Sequence, residues 1–135
     1  MHDKEPMARP FVLLIDPFRD EGEMYSEYLR AAGFDVSIRR NAVDAIASID
    51  RRRPSVVVTR LRQLTRDLSG LDVVDHIKHA LPSVPVIMIT SSILDADREA
   101  AARANCDAYM LIPVVPEQLE AAIRRLISVY NARTA

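Results

Sequence analysis

Short unbroken apolar runs alternate along this chain with longer stretches in which apolar residues recur every three or four positions. Phe11–Ile15, Ser55–Thr59, Val86–Thr90 and Ala108–Leu111 are runs of the first kind, and Asp35–Ile38 is a weaker one. An apolar run without alternation suits a strand covered on both faces. Between the runs, Met24, Tyr28, Leu29 and Ala32 fall on one helical face, which Gly33 closes. Asn41 is placed to cap a second helix with the stripe Ala42, Ala45, Ile46 and Ile49, stopped by Pro54. Ser69-Gly-Leu-Asp72 is a capping-box pattern that opens a helix burying Val73, Val74, Ile77 and Leu81. A fourth, alanine-rich helix is predicted over 95–105, with acidic residues at its positive end and Asn105 in the left-handed C-terminal position. Pro116 starts the last helix, with Leu119, Ala122, Ile123, Leu126, Ile127 and Tyr130 at helical spacing.

This alternation of strand and helix predicts an α/β fold. Parallel neighbours need helical crossovers, so the expected architecture is a three-layer α/β/α sandwich around a five-stranded parallel sheet. One domain is expected over residues 11–130, with a flexible N-terminal arm at 1–10 and a C-terminal tail at 131–135. A chain of 135 residues can bury a self-sufficient core without a disulfide or metal staple.

Charge and composition narrow the function classes. The 18 basic and 19 acidic residues nearly cancel, so neither nucleic acid nor an anionic membrane is expected as a partner. The lone Cys106 cannot form an internal disulfide, which fits a cytoplasmic protein, and no run approaches the roughly 18 apolar residues of a membrane span. Arg51-Arg52-Arg53 is read as favourable charge at the end of the second helix, since no aromatic residue is interleaved with it. Asp72, Asp75, His76 and His79 imitate metal-ligand spacing but are read as a solvated helix face. With no nucleophile–base pair and no glycine-rich phosphate loop, the chain is not expected to be an enzyme.

The segments Phe11-Val-Leu-Leu-Ile-Asp-Pro17, Pro54-Ser-Val-Val-Val-Thr-Arg60, Pro85-Val-Ile-Met-Ile-Thr-Ser91 and Cys106-Asp-Ala-Tyr-Met-Leu-Ile-Pro113 carry a further signal. In this order and spacing they resemble the receiver domain of two-component response regulators, over about residues 11–130. The resemblance implies a flavodoxin-like topology with strand order 2-1-3-4-5, which sets the ends of the first and third strands side by side. It also implies a phosphorylation site: an acidic pair after the first strand, an aspartate acceptor after the third, a hydroxyl after the fourth and a lysine before proline after the fifth. Asp16 keeps the first acid and Thr90 the hydroxyl. Pro17 stands at the second acid, Arg60 at the acceptor, and Ile112, ahead of Pro113, at the lysine. Tyr109 matches the aromatic that, with Thr90, links such a site to the face formed by the fourth helix, fifth strand and fifth helix.

Arginine cannot deprotonate to become a metal ligand or a nucleophile. A site holding Asp16 and Arg60 is therefore expected to be self-neutralised by that pair and to bind no magnesium or other cofactor. The leading expectation is a degenerate receiver that acts without phosphorylation, through protein partners of a two-component pathway on the face just named. A homodimer through that face is a further possibility, with Arg98, Glu99, Arg103, Glu117, Glu120, Arg124 and Arg125 offering both charge signs. Two other readings stay open. Arg60, Arg62 and Arg66 could hold an anion or phosphorylated metabolite, or Asp67, in a loop longer than usual, could act as a non-standard phosphoacceptor. After the fifth helix the sequence shows no output segment, which fits either a free-standing adaptor or a piece of a longer regulator.

Overall fold

Each apolar run forms a strand, and the order of elements is β1 (Phe11–Ile15), α1 (Arg19–Ala31), β2 (Asp35–Arg39), α2 (Ala42–Ser48), β3 (Val56–Arg60), α3 (Gly70–Ala80), β4 (Val86–Thr90), α4 (Asp95–Arg103), β5 (Ala108–Leu111) and α5 (Pro116–Thr134). The computed structural model describes residues 9–63 and 68–134. The strands are parallel in the order β2-β1-β3-β4-β5, the predicted flavodoxin-like topology.

Strand alternation divides the core in two. Leu13, Ile15, Val57 and Met88 point to the layer of α2, α3 and α4, with Ala45, Val74, Ile77 and Ala101. Val12, Leu14, Val58, Ile87 and Ile89 point to α1 and α5, meeting Tyr25, Leu29, Leu119 and Ile123. Covering both faces is what allows the strands to be apolar throughout. The register pairs Ile15 with Thr59, Arg60 with Ile89 and Thr90 with Leu111. Asp16, Arg60 and Thr90 thus come to the carboxyl edge of neighbouring strands, where folds of this kind open a crevice.

Several local expectations hold. Asn41 accepts from the Asp44 amide at 2.8 Å, and Ser69 and Asp72 form the capping box. Asn105 has φ 68°, and Gly33 has φ 106°. Others need correction. The buried face of α1 is Gly22, Tyr25, Ser26 and Leu29, whereas Met24 is exposed. Counting apolar residues overlooked the small ones that permit close packing. Leu81 and Ile46 are only half-buried. Arg60 is the last residue of β3 rather than the first residue after it, and α4 ends at Arg103. The last helix runs to Thr134, through the expected tail. Of the expected arm, residues 1–8 lie outside the described residues; Arg9 is tied to the carbonyls of Gly33 and Arg30 at 3.1 and 3.2 Å.

Candidate functional site

Asp16 follows β1 directly and is fully buried, at 0% exposure. Its amide donates to the Arg39 carbonyl at 3.0 Å, which fixes the backbone beside β2. Its Oδ1 accepts from the Phe18 amide at 2.8 Å, and no donor reaches Oδ2. The turn through Pro17 leads straight into α1, whose first turn carries Glu21. Gly22 makes that approach possible, because a Cβ there would lie 3.5 Å from the Asp16 Cβ and 2.9 Å from an Arg40 nitrogen. Glu21 consequently sits against Asp16.

Arg60 reaches into this pocket from β3, but its partner is Glu21, with Nη1 3.1 Å from Oε2 and 3.2 Å from Oε1. The expected Asp16–Arg60 ion pair is therefore replaced by an Arg60–Glu21 pair. The longer reach of a glutamate in the first turn of α1 takes the guanidinium away from the short, backbone-bound Asp16. The pair is nearly closed to solvent, with side chains 12% and 20% exposed. Phe18 covers it, its ring centroid 4.7 Å from the guanidinium carbon. Arg60 Nε is buried without a partner. On the other side Gly70, the first residue of α3, is pressed onto the strand end; a Cβ there would lie 2.4 Å from the Arg60 carbonyl oxygen.

Burial, then hydrogen bonding with Glu21, pushes the Asp16 carboxyl up from 3.8 to about 8. A proton on Asp16 gives the orphaned Oδ2 something to donate to Glu21, and the pocket then carries one negative and one positive side chain. The residues do not fit a divalent cation. Hard cations need several converging oxygens, whereas Asp16 Oδ1 is engaged by an amide and Glu21 by a guanidinium. Among the described residues no group of three or more His, Cys, Asp or Glu could hold a metal. Asp72 serves the capping box, and His79 Nδ1 lies 3.1 Å from the Asp75 carbonyl.

Thr90 is buried at the end of β4, and its Oγ1 accepts from the Ser92 amide at 3.1 Å. Tyr109 donates to the Ser92 carbonyl at 3.1 Å, with Arg98 stacked 4.8 Å over its ring. Ile112 precedes Pro113 across a cis bond. Arg62 pairs with Asp97 at 3.1 Å. Asp67 and Arg66 lie outside the described residues. A cleft remains above the site, lined by Phe18, Arg60, Arg62 and Thr90 and walled by Ser91 to Leu94. Its lips are apolar and exposed: Phe18 by 44%, Leu94 by 59% and Ile93 by 80%.

Sequence reasoning missed Glu21 and Asp97. Both lie in the first turn of a helix, where an acid is explained by the helix dipole alone. The available signal for Glu21 was the glycine beside it, out of place within a helix unless something approaches closely.

A family model described as the response regulator receiver domain matches residues 12–124. TcrX of Mycobacterium tuberculosis, which carries the name of a transcriptional regulatory protein, is 34% identical over 125 residues, 93% of this chain and 51% of its own length. The DNA-binding response regulator MtrA of the same species is 27% identical over 116 residues, 86% of this chain and 50% of its own length. The chain thus spans about half the length of these relatives. Among solved structures, a CheY-like receiver domain protein from Methanospirillum hungatei JF-1 shares the fold, with a TM-score of 0.88 at 19% identity, over 93% of this chain and 99% of that one. Among the described residues no helix is long and apolar enough to cross a membrane.

Proposed function

The chain belongs to the response regulator receiver domain family, and from that premise we propose that it is a pseudo-receiver, which signals by protein contact without taking up a phosphoryl group. The observation that carries this reading is the Arg60–Glu21 pair beside a buried Asp16. It puts a permanent cation where the family places its acceptor and ties up Glu21, the carboxylate beside Asp16, in an ion pair. The chain is not an enzyme on this reading, and it uses no cofactor. Its partners are proteins of a two-component pathway, and it works in the cytoplasm without nucleic acid or membrane.

The docking face is that of α4, β5 and α5, which carries Tyr109 and the exposed Leu111 and Val115. Arg98, Glu99 and Arg103 supply its charges from α4. Glu120 and Arg124, expected on the same rim, turn to α1 instead: Glu120 accepts from Tyr28 at 2.8 Å, and Arg124 donates to the Ala32 carbonyl at 2.7 Å. The anion-sensing reading has less support, because Arg60 and Arg62 each already hold a carboxylate.

The decisive test is incubation with magnesium and acetyl phosphate, followed by intact-mass measurement. An unchanged mass is expected. An acyl-phosphate adduct, on Asp67 or any other acid, overturns the proposal. Titration with inorganic phosphate is likewise expected to give no saturable response.

A further inference from the structure

Ser92 is a junction. Its amide donates to Thr90 Oγ1 at 3.1 Å, its carbonyl accepts from Tyr109 at 3.1 Å, and its hydroxyl donates to Asp97 Oδ2 at 2.5 Å while accepting from the Leu94 amide at 3.3 Å. The same Asp97 oxygen is held by Arg62 Nη2 at 3.1 Å. One carboxylate oxygen therefore joins the segment after β3 to the β4–α4 connection, and Ser92 joins that connection to the hydroxyl and the aromatic of the switch pair.

We infer that Arg62 and Asp97 are positioning residues: their ion pair holds Ser92, and through it Thr90 and Tyr109, in one arrangement. This rests on the pseudo-receiver reading, and it names what sets the α4–β5–α5 face when no phosphoryl group does. Thr90 spends its acceptor on its own loop, and Tyr109 is held at both its hydroxyl and its ring. A carboxylate shared between a hydroxyl and a guanidinium resists rotation more than either bond alone. Arg62 is 68% exposed and Asp97 21%, so the latch is open to salt and to a competing acid. A neutral side chain at residue 62 removes the charge and leaves the rest of the junction intact.

The test compares the full chain with R62Q, D97N and the double variant. Readouts are hydrogen exchange of residues 92–98 and the ring resonances of Tyr109. R62Q is expected to raise exchange in that segment by about threefold, the scale of one exposed ion pair, and to shift the Tyr109 ring. D97N is expected to do at least as much, and the double variant no more than D97N. Because Asp97 lies in the first turn of α4, its loss loosens the helix on its own account, so R62Q, outside that helix, carries the decision. Wild-type exchange and an unmoved Tyr109 in R62Q overturn the inference, as does additivity in the double variant. Neither result depends on phosphodonor chemistry, so this inference and the pseudo-receiver reading fail separately.

Discussion

Arg60 lies 3.1 Å from Glu21, with Asp16 buried beside them at 0% exposure. A buried pair is a weak source of stability, but breaking one leaves an uncompensated charge. Glu21→Gln is expected to destabilise the protein by about 2 kcal/mol, less than a fully buried pair because some solvent reaches both groups. Arg60→Met in the Glu21→Gln background should restore much of that loss. Denaturant unfolding of the two single variants and the double measures the coupling; simple additivity would show that the pair carries no interaction.

Asp16 supplies a pH dependence whose sign follows from its direction of shift. Its carboxyl is pushed up from 3.8 to about 8 by burial and then by Glu21, so the folded state binds the extra proton. Stability attributable to Asp16 is thus fully present below about pH 4, declines as pH rises through the interval, and is lost above about pH 8. Asp16→Asn imitates the protonated acid at all pH values. The stability of this variant minus that of the wild type is expected to grow from pH 4 to 8 and then level off. A difference curve flat across that range would mean that Asp16 is ionised in the native protein.

Gly70 fixes how closely α3 approaches the end of β3. A Cβ would lie 2.4 Å from the Arg60 carbonyl oxygen and 2.9 Å from the Leu61 Cα, both backbone atoms that cannot rotate aside. Gly70→Ala should therefore cost about 3 kcal/mol, the upper range for overpacking, despite alanine's better helix propensity. Thermal unfolding checks this; an unchanged midpoint would mean that α3 can slide without cost.

Much of this arrangement was legible in the sequence, and the limits have physical causes. Strands buried on both faces announce themselves as apolar runs, and the carboxyl-edge residues Asp16, Arg60 and Thr90 follow from where those runs end. The capping box at Ser69 and the left-handed Asn105 are local and depend on neighbours in sequence. Partners of long charged side chains are another matter. Asp16 and Glu21 compete for one guanidinium, and the winner depends on side-chain reach and on Gly22 letting α1 close in. Ser92 and Asp97 likewise read as ordinary helix-entry residues until Arg62 and Tyr109 are brought to them.

The same difficulty hid a second buried charge network, at the amino edge of the sheet. Lys78 of α3 lies 2.7 Å from Asp107 and donates to Tyr130 at 3.0 Å, while Asp107 also accepts from the Val86 amide at 2.8 Å and from the Tyr130 hydroxyl. Lys78 and Asp107 are 15% and 14% exposed, so solvent compensates little for a missing partner. Burial, the largest single effect, pulls the Lys78 ammonium down, but hydrogen bonds to Asp107 and Tyr130 together raise it above its ordinary value. Asp107→Ala would strand that ammonium and the Val86 amide together, and is expected to cost about 3 kcal/mol. Asp107→Asn can still accept from Val86 and should cost less. Denaturant unfolding of the two variants checks this; equal losses would mean that the Val86 amide gains nothing from the acceptor at residue 107.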